Sequence, residues 1–125
     1  MVPWEATLER FEEQKRMGDV PELVYKILRP SEREVLERYG RFTGSADDEH
    51  DGFVHLSTRE QLAGTLAKHF AEEDELTILA LDVAAMGDAL RWEPSRGGAL
   101  FPHLYGAILA SMVREELEPS ALVEE

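Results

Sequence analysis

Asp51-Gly52-Phe53-Val54-His55-Leu56-Ser57-Thr58-Arg59-Glu60-Gln61 holds a strand, a turn and a helix start in one short run. Strand alternation places Phe53, His55 and Ser57 on one face and Val54 and Leu56 on the other. With Val54 and Leu56 toward a core, His55 looks into whatever lies opposite. Thr58-Arg59-Glu60-Gln61 has the form of a capping box. A helix is expected to open there and run to about Glu72, with Leu62, Leu66 and Phe70 inward. The strand thus feeds into a helix N-terminus. Its free N–H groups, its partial positive charge and Arg59 make an anion site beside an imidazole. The plain alternative is that His55 is a hydrogen-bonded core residue.

Upstream, Leu23–Leu28 reads as a strand that ends before Pro30. Ser31-Glu32-Arg33-Glu34 is another capping box, predicting a short helix to about Tyr39 with Gly40 after it. The stretch 41–52 is rich in Gly, Ser and acids and reads as a surface loop. Trp4, Leu8 and Phe11 fall at helical spacing within an amphipathic helix over 3–17, stopped by Gly18. Downstream, 76–83 is a strong strand, and 89–93 and 103–112 are further strands. Pro94-Ser95-Arg96-Gly97-Gly98 forms a turn-rich loop between them. The tail after Pro119 is expected to fray.

Helices come early and strands cluster late, without regular βαβ alternation. The expected class is α+β: one or more small mixed or antiparallel sheets flanked by helices. A single core domain is expected over 21–118, with an N-terminal helical extension at 1–20 and a tail at 119–125. The extension reads as packing or as an oligomer contact. Val54, Leu56, Leu66, Phe70, Ile78, Leu79, Leu81 and Trp92 are the expected core.

The length of 125 residues fits one domain, which buries roughly two-thirds of its unfolded surface. There are no cysteines, so disulfides, thiolate catalysis and Cys-ligated zinc are excluded. No apolar run approaches the roughly 20 residues that span a bilayer. Met1-Val2-Pro3-Trp4-Glu5 has neither a basic nor an apolar signal region, so a cytoplasmic location is expected by elimination. The net charge of −13 repels phosphate backbones and anionic membranes. A small-molecule ligand is therefore expected before a nucleic acid or a membrane.

Two further segments hold candidate chemistry. In Leu90-Arg91-Trp92-Glu93, Arg91 and Glu93 share a strand face, and Gly97-Gly98 lets backbone approach a ligand closely. An exposed ion pair beside an ordinary turn is the alternative. In Phe101-Pro102-His103-Leu104-Tyr105, the residues Phe101, His103 and Tyr105 share a face. A histidine and a tyrosine so placed can grip a sugar or polarise a leaving group, or pack half-buried with polar tips. Asp47-Asp48-Glu49-His50-Asp51 lacks EF-hand spacing and reads as a solvated loop. His55, His103 and a carboxylate lack a zinc spacing, so no metal site is expected. Ser57-Thr58 shows no nucleophile elbow.

Tyr25-Lys26-Ile27-Leu28, Gly40-Arg41-Phe42-Thr43-Gly44-Ser45, the 51–58 segment, Gln61, Thr65, Phe70, Leu90-Arg91-Trp92-Glu93 and Phe101-Pro102-His103-Leu104-Tyr105-Gly106 occur in order. Over about residues 24 to 117 this pattern resembles the domain-of-unknown-function family 952. Arg33 stands near the place where the family usually has a tryptophan. That family is similar, more remotely, to the ADP-ribosyltransferase-like fold and to RNA 2′-phosphotransferases, which bind NAD between two small sheets. The resemblance implies NAD or another nucleotide as ligand, with transfer or hydrolysis at the ribose carbon bearing nicotinamide. His55, Glu93 and His103 would be catalytic. Lys26, Ser57, Thr58, Arg59, Arg91, Arg96 and Tyr105 would contact the ligand, with Arg91 or Arg96 meeting pyrophosphate. A non-catalytic binding or interaction module on the same fold is the alternative, as is a structural protein whose shared motifs only specify the fold.

Overall fold

A computed structural model describes residues 21–124. The chain is α+β, with three small sheets in which every pairing is antiparallel. Strand β1 is Leu23–Leu28 and β4 is Thr77–Asp82. With β8, Val113–Leu117, they form the first sheet in the order β1-β4-β8. The second sheet pairs β2, Arg41–Phe42, with β7, Ile108–Leu109. The third has the order β3-β6-β5, from β3 Val54–His55, β6 Leu100–Leu104 and β5 Leu90–Pro94. Reciprocal backbone bonds between Tyr25 and Ser57, 2.8 and 2.9 Å, tie the first sheet to the third.

The first sheet is buried on both faces, which is why β1 and β4 read as near-continuous apolar runs. Val24, Leu28, Leu79 and Leu81 pack with Leu36, Val54, Leu56, Leu104 and Ile108 in one cluster. Tyr25, Ile27, Ile78 and Ala80 pack with Leu62 and Leu76 in the other. Val54, Leu56, Ile78, Leu79 and Leu81 are buried as expected, whereas Leu66, Phe70 and Trp92 are half-buried at the margins.

Helix α1 is Pro30–Tyr39. Arg29, not Ser31, caps it. The Arg29 N–H donates to Glu32 Oε1 at 2.9 Å, and Pro30 takes the first helical position, where its missing N–H costs nothing. The stretch 41–52 is not a plain loop: it holds β2 and helix α2, Ala46–Asp51. Helix α3 covers Leu62–His69, a shorter span than the expected 58–72. Helix α4 is a single turn, Val83–Met86.

The expected strand over 103–112 is instead β6, a turn, β7 and a 3-10 turn at Ala110–Met112. Pro102 sits inside the central strand β6, a position where its missing N–H is unusual. It is accommodated opposite Trp92, and its carbonyl accepts from the Leu56 N–H at 3.0 Å. In the tail, the described residues Pro119–Glu124 wind into 3-10 helix, and Leu122 packs on the second cluster. The helix expected over 3–17 lies outside the described residues.

Candidate functional site

Helix α2 has no apolar stripe; its anchor is a buried carboxylate. Ser45 caps it, with its hydroxyl accepting from the Asp48 N–H at 3.2 Å and its own N–H donating to Asp48 Oδ2 at 2.9 Å. Gly44 precedes it at φ +123°, and a Cβ there would lie 2.6 Å from the Asp48 Cβ. Only glycine allows that approach. Asp48, 2% exposed, then gathers the site. Oδ2 accepts from Lys26 Nζ at 2.8 Å. Oδ1 meets His55 Nδ1 at 2.6 Å and accepts from the His55 N–H at 3.1 Å. Lys26 Nζ also donates to the His55 carbonyl at 3.0 Å.

Burial alone would push the Asp48 carboxyl up. The His55 hydrogen bond, the Lys26 charge and hydrogen bond, and the Ser45 N–H outweigh it and hold Asp48 well below the usual carboxylate range. A carboxylate so held binds its proton less readily in the folded chain than in the unfolded one. It therefore stabilises the fold above its unfolded pKa of about 3.9, and that contribution fades as pH falls toward the folded value. Unfolding free energy is expected to drop steeply below about pH 4. Urea titrations between neutral and acid pH test this. The Asp48→Asn variant should show a shallower acid limb, and an unchanged limb would mean that other carboxylates set it.

A second carboxylate–histidine pair stands on the next strand. His55 and His103 are register partners across β3 and β6, and His103 and Arg91 across β6 and β5. All three side chains therefore share one sheet face. His103 Nδ1 meets Glu93 Oε1 at 2.7 Å, and the Tyr105 hydroxyl donates to the same oxygen at 2.8 Å. The His103 hydrogen bond, then that of Tyr105, holds the Glu93 carboxyl below its ordinary value. The bond to Glu93 in turn pushes the Tyr105 phenol up. Phe53 lies between the histidines, with ring centroids 4.6 Å from His55 and 4.0 Å from His103. The histidine centroids are 5.6 Å apart.

Both rings line a cavity of about 290 Å³, together with Lys26, Asp47, Asp48 and Asp51. Asp51 Oδ2 lies 2.9 Å from His55 Nε2. His55 thus has a carboxylate oxygen at each nitrogen, and both contacts are hydrogen bonds only when the ring carries two protons. His103, 4% exposed, has Glu93 at Nδ1. Its Nε2 has no hydrogen-bond partner among the described residues.

Of the residues expected in the site, His55, His103, Lys26 and Ser57 line the cavity. Glu93 and Tyr105 join through His103. Arg91 lies over the Tyr105 ring at 4.8 Å, outside the lining. The buried Ser57 hydroxyl is within 3.2 Å of Thr65 Oγ1. Thr58 and Arg59 are not lining residues. The Thr58 N–H is taken by Gln61 Oε1 at 3.0 Å and the Gln61 N–H by Thr58 Oγ1 at 3.2 Å, while the Arg59 guanidinium lies 5.8 Å from the Tyr25 ring centroid. Arg96 falls in the 3-10 turn Arg96–Gly98. Arg33 pairs with Glu116 at 2.8 Å, away from the cavity.

Asp48 and Asp51 belong to the segment expected to be a solvated loop, outside the expected site residues. The signal for Asp48 is Ser45-Ala46-Asp47-Asp48, a serine with an acid three residues on, inside a stretch that reads as a solvated loop for want of EF-hand spacing. Among the described residues no group of three or more His, Asp or Glu side chains is arranged to hold a metal ion. Nor, among them, is any helix long and apolar enough to cross a membrane.

No curated protein matches the chain. Protein CC0527 from Caulobacter crescentus is similar to it in two kinds of structure. The crystal structure shares 48% identity over 76% of this chain and 83% of that one, with a TM-score of 0.73. The solution structure gives 47% identity, 78% and 84% coverage, and a TM-score of 0.69. Residues 27–116 match a family model, and this chain belongs to that family, described as Protein of unknown function (DUF952).

Proposed function

We propose that the protein binds a small polar molecule in the cavity and moves a proton on it between His55 and His103. The observation that carries this reading is the pair of histidines in register on adjacent strands, each ring held by its own carboxylate. A carboxylate on one ring nitrogen fixes the tautomer and orientation of the other, which general acid–base catalysis requires. The pairs differ in a useful way. With Asp48 accepting from Nδ1–H, His55 is the proton donor through Nε2–H, to a ligand that takes the place of the exposed Asp51 carboxylate there. With Nδ1–H given to Glu93, neutral His103 offers the Nε2 lone pair and is the acceptor. Centroids 5.6 Å apart on one sheet face bring the two rings to a single reacting group.

The finer form of this reading is transfer or hydrolysis at the ribose carbon of NAD or another nucleotide, on an ADP-ribosyltransferase-like fold. The small antiparallel sheets around the cleft support it. The volume limits it. Pockets for drug-sized ligands run roughly 300–1,000 Å³, so a cavity of about 290 Å³ takes one ring-sized part of a dinucleotide and leaves the rest outside.

His55→Gln tests the site apart from the fold. Glutamine keeps a donor of similar reach, so unfolding free energy is expected to fall by less than about 1.5 kcal/mol. Turnover is expected to fall by roughly 10²-fold or more for the variant of either histidine. Binding without turnover by the native protein would select the non-catalytic module. A His55→Gln chain that is unfolded, with no ligand bound by the native protein, would make His55 a core residue.

A further inference from the structure

We infer that the cavity accepts a cationic, donor-rich group, an amine or a guanidinium, in preference to a phosphate. This names a substrate class for the proton-transfer site and rests on that reading.

The first argument is which atoms are left to meet a ligand. His103 is more than nine-tenths buried, lines the cavity and has no partner at Nε2 among the described residues. With Nδ1–H donating to Glu93, Nε2 of the neutral ring is the acceptor. Asp47, also in the lining, has no hydrogen bond or ion pair among the described residues, and its carboxylate accepts only. Two open acceptors call for a ligand that brings donors.

The second argument is charge. The cations in the lining are already met by protein carboxylates. Lys26 lies 2.8 Å from Asp48, and Arg29 lies 2.7 Å from Glu73 and 3.3 Å from Glu32. Against Lys26, Arg29 and the doubly protonated His55 the lining sets Asp47, Asp48 and Asp51, and Glu93 behind His103 tips the balance to negative. In a cleft with low-dielectric walls this excess of negative charge is focused, drawing cations in and keeping anions out. The turn Thr58–Gln61 that leads into α3 does not oppose this, because its N–H groups at Thr58 and Gln61 are satisfied locally.

The experiment is a titration of the full chain with four probes: ethylguanidinium, ethylammonium, ribose and ribose 5-phosphate. Ring ¹⁵N signals of His55 and His103 are followed at low and high salt. The two cations are expected to shift the His103 signals and to bind at least tenfold more tightly than ribose 5-phosphate, with the advantage shrinking as salt rises. Asp47→Asn, on an exposed position, is expected to weaken the cations severalfold and leave ribose unchanged. Tightest binding by ribose 5-phosphate at the same rings would overturn the charge class and leave the acid–base site standing. An unchanged cation affinity in Asp47→Asn would remove Asp47 from the ligand. If no probe moves either ring, the cavity is not a ligand site and both readings fall.

Discussion

Replacement of Asp48 by alanine is expected to destabilise the fold by about 3–5 kcal/mol, the usual cost of removing one partner from a buried ion pair. Lys26 and Asp48 have side-chain exposures of 8% and 2%, so neither charge can turn to water when the other is lost. The substitution would leave the Lys26 ammonium with the His55 carbonyl alone, and would remove acceptors from the His55 and Ser45 N–H groups. Urea unfolding is the measurement. Removing the second charge as well, in Lys26→Met with Asp48→Ala, should recover a substantial part of the loss, because no unpaired ion then remains buried. A single-variant loss below about 1 kcal/mol would show that water reaches Lys26 and that the network does not hold the fold together.

Leu79→Ala is expected to cost about 2–5 kcal/mol. Leu79 is fully buried, on the middle strand of the first sheet, between Lys26 of β1 and Glu116 of β8. Its side chain packs in the larger cluster with Val54, Leu56 and Leu104, which seat the strands bearing the histidines. The removed methyl groups would leave a void whose cost depends on how far these neighbours close in. Chemical unfolding measures it. A change under about 1 kcal/mol would mean that the site's strands rest on something other than β4.

These two residues mark what could be read from the sequence and what could not. Leu79 sits in an apolar run that reads as a strand whatever surrounds it. Val54 and Leu56 likewise set the face of His55 by alternation alone. The pairing of His55 with His103 lay within reach, since both were seen on polar strand faces, but their adjacency depends on a pairing of distant segments. Asp48 was hidden because short acidic stretches are usually solvated. What buries this one is a lysine 22 residues earlier, a tertiary fact with no periodic trace. The strand β8, Val113-Arg114-Glu115-Glu116-Leu117, escaped for a similar reason: it has a charged middle and lies at a sheet edge.

The left-handed glycine that ends helix α2, Gly52 at φ +91°, has a consequence for how the chain can change over generations. The distance along the chain from Asp48 to His55 is consumed entirely by one helical turn, that reversal and the entry to β3. Strand faces alternate residue by residue, so losing or gaining one position here would rotate His55 into the core and turn Val54 and Leu56 outward. It would also pull the carboxylate off the imidazole. Substitutions can accumulate on the outer surface of α2, at Ala46 or Glu49, without disturbing that arrangement. Insertions and deletions cannot, so only the outward positions of this stretch are free to drift while its length stays fixed.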